Sequence, residues 1–331
     1  MIGLLGTAQL AALAALGFAG VGALGAALLY PAWHGQLLAT SPAARARGLL
    51  AWAAAPAVFA LLMTSICFLP SVLGAVGAHA DHCTRHDDHH AHLCLVHHPA
   101  NAGSAAGWTI LAVVGGVLFL SSGRRLHQLW HTRRLLGALG AVGRWDVTHG
   151  VRWVDTEAPL SVAAGLWGGE IIVSSSLARS LPADLLQVVV EHERAHVKRR
   201  DALRRVVAQL LCIVHVPAVR ARLLADLSVA CEQACDEEAA RRVGDRLHVA
   251  HAIVSVERMF GVHGAGLGML APAFSGSDVV ARVERLVNPP CDVRPSALRV
   301  SWLLVAGVAA AIAVADPLHH VTETALGLLA R

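Results

Sequence analysis

The sequence predicts an α+β protein: a polytopic α-helical membrane unit of four spans joined to one mixed domain. Two features of the chain predict it. Its composition is 55% hydrophobic and only 15% charged, with a mean hydropathy of +0.55, too apolar for an ordinary soluble domain. The apolar residues also cluster. Four runs almost free of charge stand apart from a middle region in which short β-favouring segments and helical patterns alternate with charged residues.

The first run, Ile2 to Tyr30, and the second, Leu49 to Val76, carry no charge at all. The third, Gly107 to Leu120, extends from Ala105 to Gly123, and the fourth, Val300 to Ala315, lies between Arg299 and Asp316. A span needs about 20 apolar residues, with about 17 as a lower edge, so the last two are the shorter ones. The first run lacks a basic leader and reads as an uncleaved anchor rather than a signal peptide. Basic residues set the orientation. The loop Pro31 to Gly48 carries Arg45 and Arg47 and no acid, and the third run is followed by Arg124, Arg125, Arg133, Arg134 and Arg144. The second loop has Arg85 against Asp81, Asp87 and Asp88. The first loop and the mixed domain are therefore expected in the cytoplasm, and the second loop and both termini outside, in a plasma (inner) membrane crossed several times. The net charge of +4 owes much to these flanking arginines. They are not interleaved with aromatics, so the lipid bilayer, and no nucleic acid directly, is the expected partner.

The second loop holds His79, His82, Cys83, His86, His89, His90, His92, Cys94, His97 and His98. Such a tract suits zinc or copper, with His82, Cys83, His86, His89, His90, His92, Cys94 and His97 as candidate ligands for an extracytoplasmic ion. A Cys83–Cys94 disulfide in an oxidising compartment, or a solvated loop, would account for the same residues.

Arg124 to Gly143 reads as a basic amphipathic helix leading into the mixed domain. Val151–Val154 and Ile171–Val173 favour strands, and Leu181-Pro182-Ala183-Asp184 resembles a helix start. The apolar run Leu185 to Val190 then leads into His192-Glu193-Arg194-Ala195-His196, an H-E-x-x-H pattern. On a helix, residues four apart share a face, so both imidazoles can bind one ion and Glu193 can take a proton from water beside it. Zn2+ suits such a pair, because it accepts nitrogen ligands and tolerates an open position. With 20 His in the chain, a chance match on a solvated helix is the competing reading, and a third ligand decides between them. A helix through Cys231-Glu232-Gln233-Ala234-Cys235-Asp236 supplies one. Glu232 completes a His-His-Glu set, and Asp236, one turn on, can accept a hydrogen bond from a ligand imidazole. Taken alone, the same stretch would read as an acidic solvated face. Cys231 and Cys235 are softer rivals as ligands. Val206 to Val219 reads as a buried helix or one lying at the membrane surface, and Gly261, Gly264, Gly266 and Gly268 mark a flexible loop.

Glu191-His192-Glu193-Arg194-Ala195-His196-Val197-Lys198-Arg199-Arg200-Asp201, followed by Glu232-Gln233-Ala234-Cys235-Asp236-Glu237, resembles the M56 family of membrane-embedded zinc peptidases, the BlaR/MecR antibiotic-sensor type, related more distantly to M48 peptidases. Ala164 to Ser174 resembles the strand pair before the family's zinc helix, and Ala281 to Val287 a segment near the end of its domain. The resemblance implies a cytoplasmic, gluzincin-like zinc peptidase domain. His192, His196 and Glu232 would bind zinc, Glu193 would be the general base, and Cys235 a packing residue. In such a domain an edge strand binds the substrate backbone by strand addition. The resemblance also implies signalling, in which an outside stimulus leads to cleavage of a cytoplasmic protein, often a transcriptional repressor. Many zinc peptidases stabilise the oxyanion with Tyr or His. The only Tyr here is Tyr30, at the end of a span, which leaves His248, His251 and Arg282; Arg282 is taken as the catalytic candidate. The expected division is a three-span unit (1–123), a peptidase domain (124–297), and a fourth span with a short outer tail (298–331). No large outer sensor domain is expected, so a stimulus would act on the spans or the His-rich loop. Two other functions fit the same features: a non-enzymatic metal sensor or scaffold, and a quality-control protease for membrane proteins.

Overall fold

The computed structural model describes residues 2–77, 93–94, 99, 103–263, 276–288 and 313–327. Helix α1 (Ile2–Leu38) turns at Thr40–Ser41 into α2 (Pro42–Cys67), which continues past Phe68 as α3 (Leu69–Ala75). The expected loop before Gly48 shrinks to this turn, because Ser41 caps α2, its Oγ accepting from the Ala44 amide, and Pro42 fills the first helical position. Gly22 lets α1 and α2 cross closely: a Cβ there would lie 3.0 Å from Pro56 Cα.

The third apolar run and the basic segment after it form one unbroken helix, α4 (Ala105–Val142), opened by Ser104, whose Oγ accepts from the Gly107 amide. Arg124 and Arg125 end an apolar run but not a helix, since arginine is a good helix former. The boundary expected at residue 123 falls inside this helix. Gly3–Leu38, Pro42–Ala75 and Ala105–Val142 are each long and apolar enough to cross a membrane. Their outward faces keep large apolar side chains uncovered, Leu28 at 80% and Phe119 at 76% exposure, as hydrocarbon surroundings would favour.

Four strands follow: β1 (Arg144–Asp146), β2 (Val151–Val154), β3 (Ser161–Ala164) and β4 (Glu170–Ser174), in the order β1-β2-β4-β3. β2 and β4 run parallel, with Val151 opposite Ile171; the outer pairs are antiparallel. β1 and β3 were not legible as strands, being short and, in Ser161–Ala164, holding a single β-branched residue. Val151, Ile171 and Val173 face Leu185, Val188 and Val189 of α6 (Ala183–Arg199), while Val154, Leu160 and Ile172 face Leu139 of α4. Between sheet and α6 stands the short α5 (Ser175–Ser180). α6 begins where expected, with Pro182 before it and Asp184 in its first turn.

Next come α7 (Asp201–Leu211), a 3-10 turn at Cys212–Val214, α8 (Pro217–Val243), α9 (Arg246–His263) and α10 (Gly276–Val287). α8 starts with Pro217 and stops at Gly244, whose φ of 84° glycine adopts freely. Leu223, Leu227, Ala230 and Cys231 of α8 share one core with Tyr30 of α1 and Leu49 and Ala53 of α2. The run 206–219 is not one helix: it ends α7, turns at Cys212–Val214 and opens α8, with Ala208, Cys212 and His215 buried and Val216 to Ala218 exposed. His215 donates through Nε2 to the Ala53 carbonyl at 3.0 Å. A last helix, α11 (313–327), occupies most of the expected tail. Two of its polar residues bond elsewhere in the chain. His319 Nδ1 donates to the Cys67 carbonyl at 2.6 Å, and Glu323 accepts from the Leu93 amide at 2.8 Å. The fourth expected span lies outside the described residues except for 313–315. Also outside them are the glycine-marked stretch 264–275 and, in the loop, His82, Cys83, His86, His89, His90, His92 and His97; Cys94 is described and buried.

Candidate metal site

α6 presents His192 and His196 one turn apart, ring centroids 4.9 Å apart, and α8 lays Glu232 across them. His192 Nε2 lies 3.3 Å from Glu232 Oε2, and His196 Nε2 lies 3.4 Å from Glu232 Oε1. One ligand atom from each of His192, His196 and Glu232 lies within 4.8 Å of the others, and a donor set of two imidazole nitrogens and a carboxylate suits zinc. Glu232 Oε2 adds to the fit, being buried without a hydrogen-bond partner.

The far nitrogens are held as well. His192 Nδ1 donates to Asp236 at 2.9 Å, and His196 Nδ1 to Asp201 at 3.1 Å, which leaves both Nε2 atoms turned toward Glu232. Arg282 grips Asp236 with a two-toothed fork, Nε to Oδ2 at 2.8 Å and Nη2 to Oδ1 at 2.7 Å, and its Nη1 lies 3.5 Å from Glu232 Oε2. Asp201 is held by Arg199 and Arg204, and Glu232 Oε1 accepts from Arg205 at 2.7 Å. Cys235 Sγ sits 3.3 Å from both His196 Nδ1 and Asp201 Oδ2. A second grouping of His196, Asp201 and Cys235 therefore meets at the far side of the ring. Burial pushes the Cys235 thiol up to about 12, as suits a packed hydrogen-bonding group rather than a ligand.

Burial alone would strip the charges here, and the partners reverse it. Burial lowers His192, but Asp236 and Glu232 carry it above its ordinary value; burial likewise opposes His196, which Cys235, Glu232 and Asp201 raise well above. Burial would raise Glu232, yet His196, His192 and Arg282 hold it well below the usual carboxylate range. Asp201 is held at about 2, against its own burial, by His196 and Arg199.

Glu193 opens into the cleft beside the ligand atoms, and its Oε1 accepts from Ser161 Oγ of β3 at 3.1 Å. β3, the sheet's edge, forms one wall of this cleft. At the end of β3, Gly165 has a φ of 121°, and a Cβ there would lie 2.5 Å from Gly168 O, so only glycine makes this turn.

The geometry corrects the assignment of Arg282. It is buried, does not line the cleft, and spends its donors on Asp236 and Glu232, so it braces carboxylates rather than facing a developing oxyanion. The other substitutes also lie away from the cleft: His248 sits 3.5 Å from Asp184, His251 is exposed on α9, and Tyr30 donates to Asp226. Sequence reasoning missed Asp201, Arg205 and Ser161 as contributors. The first two stand in the run after His196, at the start of a new helix, and an acid directly after a basic helix end was the available signal. Replacing Asp201 with Ala is expected to weaken metal binding about 10–100-fold, read by competition with a chromogenic chelator. Unchanged affinity would remove Asp201 from the site.

Residues 155–286 match the family model described as BlaR1 peptidase M56. No curated protein and no solved structure matches the chain.

Proposed function

With an M56 peptidase domain at residues 155–286 as the premise, we propose that the protein is a membrane-embedded zinc metalloendopeptidase acting on a cytoplasmic protein. The observation that carries the reading is the gathering of ligand atoms of His192, His196 and Glu232 within 4.8 Å of one another, with Glu193 opening into the same cleft. When bound, zinc supplies Lewis acidity that polarises a peptide carbonyl and acidifies water. The chain's own residues do the rest. Glu193 removes a proton from the attacking water and returns it to the departing amine. Ser161 holds that carboxylate by donating to it. Asp236 and Asp201 keep both imidazoles in the tautomer that leaves Nε2 free. β3 offers the unpaired backbone of a sheet edge, along which an extended substrate can add as a strand. Arg45, Arg47 and the arginines after the third span support a cytoplasmic cleft, with the N-terminus outside. A transcriptional repressor is the substrate class that the family resemblance suggests, and the outer His-rich loop a place for a metal stimulus.

The test compares protein N-termini in cells expressing the intact chain with those expressing Glu193→Ala, with and without added zinc or copper. A new N-terminus that requires Glu193 is the expected result, and it names the substrate. A phenotype that survives Glu193→Ala but is lost with the outer histidines would replace the peptidase by a metal sensor.

A further inference from the structure

Of the six basic residues from 194 to 205, five have acidic partners: Arg194 with Glu191, Lys198 with Glu238, Arg199 and Arg204 with Asp201, and Arg205 with Glu232. Among the described residues Arg200 has none. It lines the cleft together with Glu193 and His196, as a cation with no ion pair among the described residues. Its guanidinium carbon lies 5.9 Å from the centroid of the Trp167 ring, within reach of a cation–π contact.

Both members of this pair are held in place by their backbones. Arg200 joins α6 to α7 at φ 54° and ψ 43°, the only non-glycine residue with positive φ among those described. That conformation costs an ordinary side chain about 1 kcal/mol or more, which a glycine would avoid. Trp167 stands at the apex of the glycine turn after β3, 69% exposed. The turn rests on α6, since a Cβ at Gly169 would lie 3.0 Å from a Val197 methyl. Trp167 thus lies in the turn that follows β3, and Arg200 lies beside it at the cleft. A guanidinium beside a ring keeps its N–H edge for a planar acceptor, and the planar anion a polypeptide offers is a carboxylate.

We propose that Arg200 and Trp167 form a subsite at the cleft rim that selects a carboxylate on the substrate chain. The inference rests on the peptidase reading for its substrate, but binding can test it without turnover.

The experiment uses the full chain in detergent, zinc-loaded, with peptides identical except for Glu or Gln at each position around the cleaved bond. Each peptide is made with a free and with an amidated C-terminus. The expected result is a preference of about fivefold in kcat/KM for one Glu peptide, the size an exposed ion pair gives, shrinking in high salt. Arg200→Gln brings that ratio to about one, and Arg200→Glu turns it toward a Lys peptide. A preference that follows the free C-terminus instead would support the subsite with the chain terminus as the source. In parallel, labelled peptides are titrated by fluorescence anisotropy against Glu193→Gln. Acid-selective binding that Arg200→Gln removes, with no cleavage of any peptide by the parent, upholds the subsite while sinking the peptidase reading. Glu and Gln peptides bound and cleaved alike, or bound alike without cleavage, overturn the subsite.

Discussion

Replacing Glu193 with Gln is expected to lower hydrolysis about 10²–10⁴-fold, the usual share of a general base, while leaving bound metal unchanged. The two effects separate because Glu193 is not among the atoms at ligand spacing; those belong to His192, His196 and Glu232. Gln keeps the shape and can still accept from Ser161 Oγ, so the cleft wall stays as it is, but an amide cannot take up a proton. Metal content by mass spectrometry and turnover of an identified substrate make the comparison. A variant that loses metal in step with activity would show Glu193 to be part of the binding set, and one that retains activity would remove it from the chemistry.

The second large effect is on stability. Arg282→Met is expected to cost about 3–5 kcal/mol, because it strips the cation from two buried carboxylates. Asp236 is 1% and Glu232 5% exposed, so neither can turn to water for compensation. Met matches the length of the guanidinium stem but brings no charge, and Lys at the same place would restore charge without the fork, recovering part of the loss. Unfolding of the metal-free protein by chemical denaturant measures the difference. Stability within about 0.5 kcal/mol of the parent, the range of ordinary surface changes, would mean that Arg282 is not a brace. Unchanged stability with a large loss of kcat would return it to the reacting centre.

The grouping of His192, His196, Glu232 and Asp236 was legible because both motifs are local: His192 and His196 are one turn apart on α6, and Glu232 and Asp236 are one turn apart on α8. Arg282 was legible as a residue of interest but not in its role, since only the packing of α10 on α8 decides where a guanidinium points. Ser161 was hidden because its strand is four residues with weak β preference, formed by pairing with β4 rather than by its own propensity. The length of α4 was hidden by its arginines, which mark where an apolar surface ends and say nothing about where a helix does. That Arg200 has no ion pair among the described residues could not be read at all: it is defined by what its five basic neighbours reach and it does not.

α8 has consequences beyond the ligand it carries. Half of it, from Leu223 to Cys231, is packed against Tyr30, Leu49 and Ala53, and the other half holds Glu232 and Asp236 over the histidines. Nothing divides one half from the other, so the melting of the lipid-facing bundle and the loss of the histidine–carboxylate geometry belong to one cooperative transition. Delipidation that loosens the first two helices should therefore cost catalysis before it exposes the sheet, and a fragment beginning after residue 123 would begin life with half a helix unsupported.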